Sequence, residues 1–341
     1  MNRRQFIQNA GLAAAATTAV AACGREPPAR PAGVPVGPFG RDSTAEDVTR
    51  GMDLGGKTAL VTGANSGLGM ETARVLALRG ATVICAARTA EKAEATCEQL
   101  GANTTPSAFD LSDWGSIVTA AGIIRATGTH IDMLICNAGI MELPELEQVY
   151  GIERQFVVNH LGHFILVNQL LPQVMAAPQG RIVMVSSGQA TRNAPPEGIQ
   201  FDNLSGEQGY TPAQGYGQSK LANALCSLEL SQRLQGQTAT TNAIRPGVIP
   251  TNLGRHMPAW KPFVLKTLGG AFTKTLGEGA ATQVYVGTAP ALAQTSGYFF
   301  EDCNPIIAGG FTEDREMAAR LWQVSEELTA DYLPTTSASA T

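Results

Sequence analysis

The chain has 341 residues, 44% apolar and 16% charged, with a formal net charge of −5. That composition is globular rather than disordered, and acidity without a basic cluster argues against nucleic-acid binding. Six scattered cysteines and four histidines include no Cys-x-x-Cys or His-x-x-x-His pair, so no metal site is expected.

The chain opens Met1-Asn2-Arg3-Arg4-Gln5-Phe6-Ile7. Adjacent arginines before an apolar run resemble a twin-arginine export signal. The Ala-rich stretch 11–22 is too short to span a bilayer. Val20-Ala21-Ala22-Cys23 resembles a lipoprotein box, making Cys23 a candidate lipid anchor, with cleavage after Ala21 as the alternative. Residues 1–23 therefore read as a signal segment and 24–50, carrying five prolines from Pro27 to Pro38, as a semi-extended linker. One domain follows over 51–332, and 333–341 is a flexible tail. The expectation is an exported protein, periplasmic or anchored in the envelope; translation from Met52 would instead leave it cytoplasmic.

A β-branched run at 57–62 predicts a buried strand, and 67–79 a helix closed by Gly80. Strand 81–86, an amphipathic helix at 89–100 stopped by Gly101, a third strand running toward Phe109 and a helix at 114–126 follow. A fourth strand is expected at 132–136, a long helix over 148–176, a fifth strand at 181–186 and a loop over 188–213. A helix at 215–235 and a sixth strand at 238–244 complete the pattern. Strict alternation predicts an α/β fold: a single Rossmann-type domain with a doubly wound parallel sheet and helices on both faces.

Thr62-Gly63-Ala64-Asn65-Ser66-Gly67-Leu68-Gly69 joins the first strand to the first helix. Such a loop brings backbone N–H groups to an anion at the helix N-terminus. Gly63 serves the turn, Gly67 the close approach and Gly69 the helix–strand packing. The second strand ends in Ala87-Arg88, with no acid for a ribose hydroxyl. A guanidinium suits a 2′-phosphate, so NADP is expected over NAD. Asp110-Leu111 follows the third strand; Asp110 is either an acceptor for the adenine amino group or a helix N-cap. After the fourth strand, small residues in Asn137-Ala138-Gly139 allow backbone to approach the adenine ribose.

Tyr216 and Lys220 lie four apart and share a helix face. The ammonium is expected to lower the phenol pKa, letting Tyr216 exchange a proton with an alcohol or carbonyl oxygen. Ser186-Ser187 ends the fifth strand, where a hydroxyl can reach a substrate oxygen. Asn159 is a poor helix former in mid-helix, and its side chain is expected to hold a water leading to Lys220. His160 and His163, beside it, read as packing or supporting hydrogen-bonding residues. Arg245-Pro246-Gly247-Val248-Ile249-Pro250-Thr251 suits a loop clamping the nicotinamide carboxamide. Beyond it, His256, Trp260 and the apolar Phe263, Val264, Leu265 and Leu268 are consistent with a lid over a hydrophobic substrate.

The phosphate loop, Cys136-Asn137-Ala138-Gly139, Val158-Asn159-His160-Leu161-Gly162-His163-Phe164, Val185-Ser186-Ser187, Tyr216-Gly217-Gln218-Ser219-Lys220 and Pro246-Gly247 together resemble the short-chain dehydrogenase/reductase family. The likeness runs over 54–304 and is nearest the retinol-dehydrogenase-like and protochlorophyllide-reductase-like branch. It implies a catalytic tetrad of Asn159, Ser187, Tyr216 and Lys220. It also implies a cofactor held by Gly63, Asn65, Ser66, Gly67, Leu68, Gly69, Arg88, Asp110, Leu111, Asn137, Ala138, Gly139, Tyr216, Lys220, Pro246, Gly247, Val248 and Thr251. Cys136 stands where the family usually has asparagine, and Arg245 where this branch often has histidine. The activity implied is NADP(H)-dependent interconversion of an alcohol and a carbonyl on an apolar small molecule, by a homodimer or homotetramer. The alternative is a non-catalytic, cofactor-holding protein that binds a lipid-like ligand or partner in the envelope.

Overall fold

Five strands buried along nearly their whole length form the centre of the molecule, as expected of a parallel sheet covered on both faces. The structure, a computed structural model, describes residues 28–249 and 273–335. In chain order the strands are β1 (Thr58–Thr62), β2 (Thr82–Ala87), β3 (Thr104–Ala108), β4 (Met133–Cys136), β5 (Gln148–Val149), β6 (Ile152–Glu153), β7 (Arg181–Val185), β8 (Thr240–Arg245), β9 (Phe299–Glu301) and β10 (Asn304–Ile306). Among the described residues they build an eight-stranded sheet ordered β10-β9-β8-β7-β4-β1-β2-β3, with β5 and β6 as a separate hairpin. All pairings in the large sheet are parallel except β9 with β10. The outermost strands each carry a proline, Pro106 in β3 and Pro305 in β10.

Alternate strand residues feed two cores. Leu60, Leu134, Ile182 and Met184 pack toward helices Trp114–Ala126, Gly162–Met175 and Pro212–Arg233. Ala59, Val61, Ile135, Val183 and Ile244 pack on the other face, toward helices Gly67–Leu78 and Leu276–Thr288. Side-chain caps fix several helix starts: Thr89 accepts from Lys92 N, Asp113 from Ser116 N and Thr211 from Gln214 N. Because the strands are parallel, the C-terminal ends of β1, β2, β4, β7 and β8 share one edge. The order reverses between β1 and β4, which opens a crevice there.

The structure differs from expectation in four places. The helix expected from 148 begins at Arg154, because Tyr150 and Gly151 take φ of 56° and 72° and close a two-residue hairpin turn between β5 and β6. Glu153 then caps the helix by accepting from Gln155 N and Phe156 N. Within it, Val157–Leu161 forms a π-helical turn between Arg154–Phe156 and Gly162–Met175. The expected loop at 188–213 contains a short helix, Gln189–Arg192, and a 3-10 turn, Phe201–Asn203.

The fourth difference lies in the proline-rich segment, which is no free spacer over its described part. Helix Ala45–Val48 opens with a Thr44/Asp47 capping box and buries both Ala45 and Val48. The Phe39 ring meets Tyr285 edge-on at 5.6 Å. Asn304 Nδ2 donates to the Phe39 carbonyl, and Ile307 N to the Ala29 carbonyl. Leu333 likewise packs against the main core. No helix among the described residues is long and apolar enough to cross a membrane.

Candidate active site

The loop after β1 turns at Gly63, whose φ of 66° favours glycine. Ala64 N donates to the Ala86 carbonyl and ties the loop to β2. Asn65 is half-buried and Ser66 exposed; Ser66 makes no side-chain cap on helix Gly67–Leu78. The first-turn N–H groups, at Gly67, Leu68 and Gly69, therefore suit an anionic ligand. Gly69 is required by space: a Cβ there would stand 2.3 Å from the Gly63 carbonyl oxygen and 2.6 Å from Asn137 Nδ2. The loop thus leaves a close backbone turn at the N-terminus of this helix.

Arg88 extends from the end of β2 with its side chain 57% exposed and Nε 4.0 Å from Asp110 Oδ2. Asp110 is not a helix N-cap. Its Oδ1 accepts from Ser112 N and Ser112 Oγ, and the next helix is capped by Asp113. Leu111 is buried, with its carbonyl so close to Gly162 that a Cβ on Gly162 would sit 2.5 Å away. Asn137 N and Ala138 N both donate to Thr62 Oγ1 at 2.9 Å, and Asn137 Nδ2 donates to the Thr62 carbonyl. Beyond β8, Lys274 N donates to the Val248 carbonyl, and the Lys274 stem lies 3.0 Å from where a Gly247 Cβ would be. Pro246, Gly247 and Val248 thus form one pinned loop. Thr251, His256, Trp260 and the apolar stretch 263–268 lie outside the described residues, as do the leader and Cys23.

The structure brings Tyr216, Lys220, Ser187 and Asn159 together at this edge. Tyr216 and Lys220 are both buried, and Nζ lies 5.8 Å from the centre of the Tyr216 ring. The ammonium donates to the Val185 carbonyl at 2.8 Å. Burial pushes the Tyr216 phenol up to about 12, assisted by the Glu142 carboxylate and opposed by the Ser187 hydroxyl bonded to it. Burial also pushes the Lys220 ammonium down to about 8. The phenol pKa is thus raised rather than lowered as expected: burial dominates, and the ammonium is engaged by the Val185 carbonyl.

Ser187 faces Tyr216, whereas Ser186 donates to the Lys220 carbonyl and is structural. The Asn159 side chain is engaged by protein: Oδ1 accepts from Ile140 N, and Nδ2 donates to the Ile140 carbonyl and to Ser219 Oγ. A Cβ on Gly139 would lie 3.0 Å from Asn159 Oδ1 and 3.6 Å from Lys220 Nζ, so the loop after β4 touches the tetrad.

Three contributors were not legible beforehand. Glu142 is buried with φ of 48° and acts on the Tyr216 phenol. Lys274 pairs with Asp302 while bracing Gly247. Thr62 gathers the loops after β1 and β4. A threonine ending a strand and a carboxylate three residues past Gly139 were the available signals, and neither is specific. Among the described residues no group of His, Cys, Asp and Glu is arranged to hold a metal.

The arrangement agrees with what this chain is similar to. The family described as short chain dehydrogenase matches residues 57–262. The Brassica napus protein "Short-chain dehydrogenase TIC 32 B, chloroplastic" is 40% identical over 308 residues, 87% of this chain and 95% of that protein. Human "Retinol dehydrogenase 14" is 38% identical over 302 residues, 81% of this chain and 88% of its own. The crystal structure of an uncharacterized protein from Mycobacterium paratuberculosis superposes with a TM-score of 0.68 at 33% identity, covering 85% of this chain and 98% of that one.

Proposed function

The chain belongs to the short-chain dehydrogenase family, and on that premise we propose that it is an NADP(H)-dependent oxidoreductase interconverting an alcohol and a carbonyl on an apolar substrate. The observation that carries the reading is the meeting of a protonated phenol, a serine hydroxyl and a buried ammonium at the crevice edge of the sheet. The dinucleotide supplies the hydride when bound. Tyr216 gives its proton to the substrate oxygen in reduction and takes one back in oxidation. Ser187 orients that oxygen, and Lys220 supplies the positive charge that stabilises the phenolate left behind. Asn159 acts at one remove by fixing Ile140 and Ser219.

Arg88 supports NADP, since its exposed guanidinium stands where β2 ends without an acid. An apolar substrate is supported by relatives named retinol dehydrogenase in human, mouse and cattle. We also propose, from Arg3, Arg4 and Cys23, that the protein is exported and acts in the cell envelope; a native N-terminus at Met52 by mass analysis would overturn this.

The test is oxidation of NADPH by the purified protein across a panel of aromatic and aliphatic aldehydes. Wild type turns over and Tyr216→Phe does not. Silence from wild type across the panel overturns the proposal in favour of a ligand-holding role.

A further inference from the structure

His163 is completely buried and lies outside the tetrad. Its Nδ1 is 2.9 Å from the Asn159 carbonyl oxygen, and its Nε2 is 2.9 Å from Thr62 Oγ1. The carbonyl can only accept, so Nδ1 carries the proton. Thr62 Oγ1 already accepts from Asn137 N and Ala138 N, so its one hydrogen is free to be given to Nε2. The Ile135 carbonyl, at 3.4 Å, is the weaker competitor for that hydrogen. The opposite tautomer would set two lone pairs against each other at Asn159 and ask Thr62 to accept a third donor. The imidazolium would fail at Thr62 in the same way. Burial agrees, holding His163 down to about 4, with Lys220 adding to the effect.

We propose that His163 is a positioning residue, a neutral Nδ1–H imidazole that couples the loops after β1 and β4 to Asn159. Hydrogen bonds run in one direction from the Asn137 and Ala138 amides to Thr62, from Thr62 to His163, and from His163 to the Asn159 carbonyl. The Asn159 side chain then donates to Ser219 Oγ, which donates to the Tyr216 carbonyl. Each bond polarises the next, and each group has its partner. The π-helical turn sets the stage, placing Asn159 within Val157–Leu161 and His163 in the first turn after it. The consequence is that the cofactor loops and the helix bearing Tyr216 are held in one register. This role rests on the dehydrogenase reading above, but the bond directions do not.

Nitrogen-15 NMR of the four histidines, with His163 assigned by loss of its signals in His163→Gln, reads the bonds directly. A protonated Nδ1 and a bare Nε2 at pH 7 are expected; an Nε2–H tautomer or an imidazolium overturns the proposal. The coupling is read from kcat and from NADPH affinity by fluorescence. His163→Phe and Thr62→Val each lower kcat about 10- to 100-fold and weaken NADPH binding. The double variant is no worse than the weaker single one, and His163→Gln, which keeps one donor and one acceptor, stays within about threefold of wild type. Additive losses, or a Gln variant as impaired as Phe, reduce His163 to packing and overturn the proposal. If His163→Phe does not fold, Thr62→Val against His163→Gln decides. If wild type reduces no aldehyde, the activity reading fails, while the tautomer and the NADPH affinities still decide this one.

Discussion

Tyr216 and Lys220 stand one helical turn apart at the same buried edge, and burial drives them in opposite directions, the phenol up to about 12 and the ammonium down to about 8. At neutral pH both are protonated, so Tyr216 is poised to give a proton. Tyr216→Phe lowers kcat about 10²- to 10⁴-fold without changing NADPH affinity more than a few-fold. A Phe variant that keeps a tenth of wild-type turnover removes Tyr216 from the chemistry.

The ammonium is costly to the fold. Lys220 binds its proton less tightly folded than unfolded, so its charge destabilises below about pH 8, and the cost is relieved between about 8 and 10.5. Lys220→Met should therefore stabilise the cofactor-free protein by roughly 3 kcal/mol at pH 7 and by little at pH 10.5. The Val185 carbonyl keeps a partner in Asn223 Nδ2. Urea midpoints at the two pH values check this, and a destabilised Met variant at pH 7 contradicts it.

Arg88 should decide the cofactor. Losing a charge-assisted contact to a phosphate costs about 1.5–3 kcal/mol, so Arg88→Ala raises the KM for NADPH about 10- to 100-fold and leaves that for NADH nearly unchanged. Equal effects on the two cofactors would assign Arg88 to the surface ion pair with Asp110.

Gly69 admits no side chain. Gly69→Ala places a Cβ 2.3 Å from the Gly63 carbonyl oxygen, and backbone must move on one side or the other. The expected cost is about 1–3 kcal/mol with weakened NADPH binding; a variant with wild-type melting temperature and affinity would show that the cradle is looser than described.

A chain begun at Met52 should be poorly stable, because it loses the segment carrying Phe39, Ala45 and Val48. Burying Val48 alone is worth about 1.5–3 kcal/mol, and Tyr285 would lose its ring partner. Differential scanning calorimetry of the full and shortened chains checks this; equal melting temperatures contradict it.

The sheet was legible wherever signals are local. Short apolar runs marked β1, β2, β4 and β7, and the glycines after Thr62 marked the turn from β1 into the first helix. What stayed hidden depends on distant partners. Asp110 and Asp113 look alike as caps until the helix start is seen. The partners of Asn159, Ile140 and Ser219, arrive from other parts of the chain. The Tyr150–Gly151 turn requires a tyrosine in the left-handed region, which residue preferences argue against. The prolines before residue 40 suggested a spacer because Tyr285 and Asn304, which hold that segment, lie more than two hundred residues away.

Prolines at both rims of the large sheet deny a donor to any incoming strand. The rim at β10 is also flanked by the bonds from Asn304 to Phe39 and from Ile307 to Ala29. Growth by strand addition is therefore discouraged at either side. Association of copies, where it occurs, is therefore expected through surfaces other than these two rims.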